Sequence, residues 1–207
     1  MGMEAISEGA GDALLLGCNA PMWPSLGLVD IMRVSDDVER DERRFEQIAK
    51  ETFLRSWQHR SLWQIDPDCA TFVSLPNQAT ERKSYDFHRT VLLASAGSLM
   101  SGDPLCDLTS FAKQSLDKLL IRQTRNQEAV KFSCLNLHHG YLRLTHTNDL
   151  HCLFNYQQPA REVTLTADHP VDWHDYWTGE KLNHEPVAAI EITLESGLAA
   201  RAILTVG

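Results

Sequence analysis

The spacing of the apolar residues changes near residue 128, and this change limits the fold more than any other feature of the chain. Before it, short continuous apolar runs alternate with stretches whose apolar residues recur at helical spacing. Buried parallel strands and amphipathic helices have these two patterns. After it, apolar and polar residues alternate one by one, which is typical of strands with one buried face. The sequence therefore predicts an α/β domain over residues 1–122 and an all-β domain over residues 128–207.

The first domain has four candidate strands. The strands are predicted at residues 13–18, 28–34, 61–65 and 97–101, with helices around 45–57, 84–96 and 108–120. Strands that alternate with helices form right-handed βαβ units, so the sheet should be parallel. At roughly 30 residues per unit, the domain holds about four units, half of the eight in a closed (β/α)8 barrel. A small doubly wound sheet also accepts four strands, and the pattern alone leaves both architectures open.

The second domain contains several short segments with alternating apolar residues. These segments lie at residues 142–144, 150–154, 163–165 and 190–194, and turn signals separate them at 139–140, 148–149 and 196–197. Short alternating strands joined by tight turns predict an antiparallel β-sandwich.

Charge and composition narrow the classes of partner. The formal net charge of −9 argues against nucleic acid, because phosphate binding needs a surplus of Lys and Arg. It also argues against an anionic membrane surface. Five irregularly spaced cysteines form no disulfide framework and predict a reducing, cytoplasmic location.

The cysteines and histidines also raise the question of a metal site. None of the candidate ligands has the compact spacing of known metal motifs. We therefore expect no metal and no cofactor. The candidates considered are Cys134, His138, His139, His151 and Cys152.

Polar side chains follow each predicted strand of the first domain. They include Cys18 after the first strand, Arg33 to Asp37 after the second, Asp66 and Asp68 after the third, and Asp103 after the fourth. In a barrel, active-site side chains come from these carboxyl ends of the strands.

Four segments carry a resemblance to a known family. EGAGDALLLGCNAPMWPSLGLVDIMRVSDDV resembles the fifth and sixth strands of family 36 α-galactosidases (melibiases), where a Leu-Gly-Cys strand end precedes an Ala-Pro-x-Trp-Pro loop and an Arg-x-x-x-Asp motif. SLWQIDPDC is similar to the seventh strand with its Asp-Pro-Asp, and HRTVLLASAGSLMSGDPL to the following helix and eighth strand, a pattern shared with family 27. The resemblance implies the C-terminal half of a (β/α)8 TIM barrel, strands 5–8, followed by the family's β-sandwich.

The resemblance also implies an activity. The family is a retaining one, in which one carboxylate attacks the anomeric carbon and a second carboxyl protonates the leaving oxygen. By the motif, Asp37 corresponds to the general acid/base, and the expected ligand is an α-galactoside or related oligosaccharide. Arg33 corresponds to a contact with the sugar or with the nucleophile's charge, Cys18 to the wall of the sugar pocket, and Asp68 to a partner of sugar hydroxyls or of its own strand end.

Two departures from the family pattern leave alternatives open. Asp36 places a second carboxyl beside Asp37, so either residue could be the acid/base. The nucleophile of the family lies in a Lys-x-Asp segment at the fourth strand, and no such segment occurs before Glu4. The chain is therefore expected to be inactive alone, as a glycosidase segment or, alternatively, as a non-catalytic carbohydrate-binding or interaction module.

A half barrel also predicts a partner. Its first and last strands leave unpaired edges. Without the other four strands of the barrel, the inward faces of Leu14, Leu16 and Met32 are uncovered. We therefore expect the chain to pair with an N-terminal half-barrel or to form a homo-oligomer.

Overall fold

The computed structural model describes residues 2–207 and contains a small parallel sheet with helices, followed by an antiparallel sheet. The helices are α1 (Gly2–Ala10), α2 (Met22–Ser25), α3 (Glu42–Leu54), α4 (Arg82–Ser95) and α5 (Ser110–Arg125). The first three strands are β1 (Leu16–Gly17), β2 (Ile31–Arg33) and β3 (Gln64–Asp66). The remaining strands are β4 (Lys131–Phe132), β5 (His139–Arg143), β6 (Asp149–Gln158), β7 (Arg161–Asp175), β8 (Val187–Leu194) and β9 (Gly197–Val206).

Strands β1, β2 and β3 form a parallel sheet in that order, as the βαβ pattern predicts. The predicted fourth strand at 97–101 is not a regular strand. This segment runs beside β3, where Ser98 N–H donates to the Ile65 carbonyl (2.8 Å), and it makes a single parallel bridge between Ser101 and Ala70. The structure thus has three parallel strands and one extended segment where the sequence predicted four strands.

Helices α3 and α5 begin where their sequences supply N-caps. The Asp41 side chain accepts hydrogen bonds from the backbone N–H groups of Arg43 and Arg44 at the start of α3. The Thr109 hydroxyl accepts one from Ala112 N–H at the start of α5. Such caps satisfy N–H groups that the first helical turn leaves without partners.

The six later strands form one antiparallel sheet in the order β4-β5-β6-β9-β7-β8. Strand β7 changes partner along its length, because residues 161–171 pair with β8 and residues 172–175 pair with β9. A register shift between Thr166 and Val171 accompanies this change. Side chains of β8, such as Leu194, pack in one buried cluster with Leu153 of β6, although two strands, β9 and β7, lie between them in the order. The sheet therefore curls over itself; the two-layer sandwich stays a prediction.

The helical part and the antiparallel sheet share one hydrophobic core. Phe53 of α3 and Phe87 of α4 lie 5.0 and 5.6 Å, between ring centroids, from Phe154 of β6. Polar contacts cross the same boundary, since the Trp177 indole N–H donates to the Thr90 hydroxyl at 3.0 Å. The domain limits drawn from the sequence stay a prediction, although α5 ends at Arg125 and β4 begins at Lys131, around the change of period.

The edge strand β1 and the residues just before it carry exposed apolar side chains. Leu14 is 75% exposed and Leu16 is 41% exposed. The expectation that Met32 shares their face is wrong. Met32 is 5% exposed and packs with Val29 and Ile65 on the opposite face of the sheet.

No helix in residues 2–207 is long and apolar enough to cross a membrane.

Candidate active site at the strand ends

The carboxyl ends of the three parallel strands bring several predicted site residues to one edge. Arg33 is the last residue of β2 and pairs in register with Asp66, the last residue of β3. Cys18 follows β1 and is exposed. Asp68 lies two residues beyond the end of β3. Parallel strands place these ends side by side, as predicted.

Arg33 connects two of the predicted site carboxylates. Its Nη2 lies 2.7 Å from Asp37 Oδ1, and its Nη1 lies 3.9 Å from Asp68 Oδ2. The Arg33 and Asp68 side chains are 13% and 12% exposed, whereas the Asp37 side chain is 72% exposed. A buried guanidinium therefore holds an inner carboxylate on one side and directs an accessible one on the other.

The charge on Arg33 is favoured by its neighbours. Burial lowers the pKa of Arg33, but its interactions with Asp68, Cys18 and Asp37 together outweigh burial, and the net shift is upward. Arg33 therefore interacts with the other three residues predicted for the site.

Asp68 ties the loop after β3 to the loop after β2. Its Oδ2 accepts a hydrogen bond from Val38 N–H at 2.6 Å, and its own N–H donates to Asp66 Oδ1 at 2.9 Å. Its φ of 69° lies in the left-handed region, which Asp tolerates better than most residues. These contacts fix the backbone immediately after Asp37.

Asp36 and Asp37 have different surroundings. Asp36 Oδ2 accepts from Arg44 Nη1 at 2.6 Å and from Gln47 Nε2 at 3.2 Å, both on α3. Its backbone N–H donates to Glu51 Oε2 at 2.7 Å. The hydrogen bond from the Asp37 backbone N–H, followed by that from Arg44, lowers the pKa of Asp36. Asp36 is therefore tied to α3 as a carboxylate, while Asp37 projects from the loop.

Burial changes the protonation of two groups behind the site. Asp66 is 1% exposed, and burial raises its pKa to about 6. Burial, followed by the charge of Asp68, raises the pKa of Cys69 to about 11. Cys69 is therefore a neutral thiol near pH 7 and lacks the thiolate that a nucleophile needs.

Sequence reasoning missed a buried ion pair that holds the loops together. Arg40 Nη2 lies 2.7 Å from Asp103 Oδ1, and the two side chains are 6% and 0% exposed. Asp103 also accepts from the N–H groups of Phe72 and Val73 at 2.6 and 3.2 Å, and Arg40 Nε donates to the Val73 carbonyl at 2.6 Å. The only sequence signal was the position of Asp103 at a predicted strand end.

A cavity of about 400 Å³ lies next to Arg33, between the sheet and α3. The buried Ser35 lines it, and the Ser35 Oγ has no hydrogen-bond partner within residues 2–207. Trp63 contributes its buried ring and donates to Gln58 Oε1. In the described part of the chain, no three His, Cys, Asp or Glu side chains cluster as a metal site would require.

Comparison with solved structures identifies the class of fold. The chain superposes on α-galactosidase I from Mortierella vinacea with a TM-score of 0.76 at 15% identity, over 98% of this chain and 60% of that one. A family 27 β-L-arabinopyranosidase from Geobacillus stearothermophilus gives 0.77 at 14% identity, over 99% and 53%. The isomalto-dextranase of Arthrobacter globiformis, solved with panose, gives 0.66 at 12% identity, over 99% and 40%. No model of a known protein family matches the sequence.

The chain therefore shares the fold of the matching part of these glycoside hydrolases, one of which is a family 27 enzyme. It spans between 40% and 60% of the length of these three structures. Because the three proteins are named for different sugars, the shared fold does not choose the substrate.

Proposed function

We propose that this chain carries the general acid/base side of a retaining α-galactosidase-type active site. The observation that carries the proposal is the group formed by Asp37, Arg33 and Asp68 at the carboxyl ends of β2 and β3. It stands on a fold shared with α-galactosidases, and it matches the Arg-x-x-x-Asp and Asp-Pro-Asp motifs. The specific assignment to family 36, and to strands 5–8 of its barrel with a C-terminal sandwich, is part of this proposal.

In the proposed reaction Asp37 protonates the leaving oxygen and then activates the attacking water. Its exposure gives the leaving group access, and the pair with Arg33 fixes its direction. Asp36 is the weaker candidate, because its lowered pKa keeps it ionised and Arg44 holds it against α3. Cys18 and Asp68 would line the sugar pocket, and the proposed ligand is an α-galactoside or related oligosaccharide.

The retaining reaction also needs a second carboxylate about 5–5.5 Å from the acid/base, and the motifs assign no residue of this chain to that role. We propose that an N-terminal half-barrel, in the same or another polypeptide, supplies it at the exposed edge of β1. Pairing of two copies of the chain is the alternative partner; it would cover that edge without supplying the carboxylate. We expect no cofactor and a cytoplasmic location.

The unassigned nucleophile also supports an alternative, a module that binds sugar without cleaving it. Two preparations distinguish the two functions. The first is the 207-residue chain alone, and the second is the native protein purified from its source cells together with any polypeptide that is fused or bound to it. We expect hydrolysis of 4-nitrophenyl α-galactoside by the second preparation only. Sugar binding without turnover in both would favour the module, and turnover by the 207-residue chain alone would contradict the assignment of roles.

The acid/base assignment has its own test in the active preparation. Asp37→Ala should slow substrates with poor leaving groups by about 10²–10⁴-fold and activated aryl substrates much less, because a good leaving group needs little acid assistance. The matched control is Asp36→Ala, for which we expect no such dependence on the leaving group. Equal losses on both substrates for Asp37→Ala would remove this residue from the acid role.

A further inference from the structure

A second cavity, remote from the strand ends, lies where α4 meets the antiparallel sheet. It has a volume of about 350 Å³, which falls within the range of small-molecule sites. Its walls come from α4, the end of β7, the turn after β7, and β8 and β9. None of the residues assigned to the proposed active site lines it.

Charged side chains of both signs line this cavity in equal number. The cations are Lys83, Arg89 and Arg201, and the carboxylates are Asp86, Asp175 and Glu195. Two of the possible pairs are formed, because Arg89 Nη2 lies 2.5 Å from Asp86 Oδ1 and Arg201 Nη2 lies 3.2 Å from Asp175 Oδ2. A lining whose charges are already balanced gives little preference for an ion of either sign.

Arg89 is the most constrained of these side chains. It is 9% exposed, and its guanidinium carbon lies 4.3 Å from the ring centroid of Trp177 and 4.6 Å from that of Phe111. Its Nη1 donates to Ser115 Oγ, but its Nε has no hydrogen-bond partner within residues 2–207. A buried donor without a partner is costly, so the ring contacts and the ion pair with Asp86 must hold Arg89 in place.

The other polar groups are held ready by the fold. Asp175 Oδ1 accepts from the N–H groups of Trp177 and Thr178, at 3.0 and 2.9 Å, which fixes the turn after β7. Lys83, whose Nζ lies 3.2 Å from Glu81 Oε2, and Thr193 add a cation and a hydroxyl to the lining. Donors and acceptors therefore alternate around one small space, with the Trp177 ring beside them.

We propose that this cavity is a binding site for a neutral polyhydroxylated ligand, namely a hexose unit of a saccharide. Each sugar hydroxyl both donates and accepts, so it satisfies carboxylates and guanidinium groups together without disturbing the balance of charge. The net charge of −9 further disfavours an anionic ligand. This inference rests on the cavity and is independent of the proposed hydrolysis.

The test is a chemical-shift titration of the 207-residue chain with galactose, glucose and mannose, following the amides of Thr178 and Ala199 in the cavity wall. We expect saturable shifts there, and an affinity about tenfold or more weaker in Arg201→Gln, because a hydrogen bond to a charged group is lost. Lys83→Gln, at an exposed position of α4, should weaken binding in the same direction and covers the case in which Arg201→Gln fails to fold.

Two control variants locate the ligand. Arg143→Gln removes another arginine that is ion-paired on the same sheet, 2.9 Å from Asp149, and should keep the affinity. Arg33→Gln alters the strand-end site and should leave the shifts of Thr178 and Ala199 unchanged, whatever it does to binding at the strand ends. Loss of binding in Arg33→Gln with no effect of Arg201→Gln would assign the sugar to the strand ends and overturn the proposal. Absence of saturable shifts with all three sugars, or tighter binding of galacturonate or galactosamine than of galactose, would also overturn it.

Discussion

The parallel and antiparallel sheets of this molecule are held together by different kinds of contact. Strands β1, β2 and β3 are only two or three residues long, and polar side chains of distant residues join the loops beyond them. The antiparallel strands reach 15 residues in β7, and their side chains pack in two large buried apolar clusters. The proposed catalytic groups lie in the first region, where geometry depends on a few buried charges, while the second supplies cooperative stability.

Truncation in the shared core should give the largest effect. Phe154 is fully buried among the rings of Phe53, Phe87 and Tyr156. We expect Phe154→Ala to lower the free energy of unfolding by about 3–5 kcal/mol, because it removes buried area and leaves a cavity. Chemical denaturation measures the change. Leu14→Ala on the exposed β1 edge is the control and should change it by less than about 0.5 kcal/mol; similar losses in the two variants would remove the contrast between the regions.

Loss of the buried ion pair should give the next largest effect. Asp103→Asn keeps the shape of the side chain but removes the charge that Arg40 faces at 2.7 Å. We expect a loss of about 1.5–3 kcal/mol in unfolding free energy, the range for hydrogen bonds to charged groups. Asp168→Asn, at an 86% exposed side chain on the antiparallel sheet, should have little effect. An unchanged Asp103→Asn protein would show that the loops do not depend on this pair.

The raised pKa of Asp66 predicts a dependence on pH. Because its folded pKa is about 6 against an ordinary 3.8, the folded state holds the proton more tightly, and stability should fall as pH rises from about 4 through 6. Asp66→Asn should remove this loss and gain about 1–2 kcal/mol at pH 7.5. The largest possible gain in unfolding free energy is about 3 kcal/mol, which corresponds to two pKa units. The gain should be smaller than this because burying the amide of Asn is itself unfavourable.

Denaturation of Asp66→Asn and of the parent chain at pH 4 and 7.5 tests this prediction. The two proteins should be close in stability at the lower pH and differ at the higher one. A parent chain whose stability rises over that interval by the same amount as the variant would show that Asp66 has an ordinary pKa.

The smallest effect concerns the helix behind the site. Asp41 caps α3, which carries Arg44 and Glu51 against the loop of Asp36. Asp41→Ala should cost about 1 kcal/mol of unfolding free energy, with faster amide exchange in that loop. Thr109→Ala removes the equivalent cap of α5 and should cost a similar amount without changing exchange near Asp36. Equal amide exchange near Asp36 in the two variants would show that the Asp41 cap does not stabilise the loop of the site.

The pattern of the sequence placed the secondary structure well and the faces of the strands less well. The helical spacing located α3 and α5, which bury one face each, and α4, which is buried almost all round. Met32 was assigned to the wrong face because the apolar pattern of a single strand does not show how that strand is aligned with its neighbour. In the sheet Gly17 pairs with Met32, so that Ile31 and Arg33 share the face of Leu16.

The candidate site shows the same limit. The Arg-x-x-x-Asp spacing was sufficient to expect Arg33 beside Asp37, four residues apart. Arg40 and Asp103 are 63 residues apart, and nothing local to either indicates the other. The two neighbouring carboxyls at 36 and 37 could be distinguished only when α3 was seen to face one of them with Arg44.

The place of β9 in its sheet has a consequence for synthesis of the chain. Strand β9 lies between β6 and β7 and also packs on α4. Each of these elements therefore lacks one of its neighbours until residues 197–206 have left the ribosome. Chains grow at about 5–20 residues per second, and for that interval the emerging β6 and β7 expose unpaired edges and apolar faces. A nascent chain stalled before residue 197 should therefore be bound by chaperones that recognise extended apolar segments, and should be released when β9 is complete.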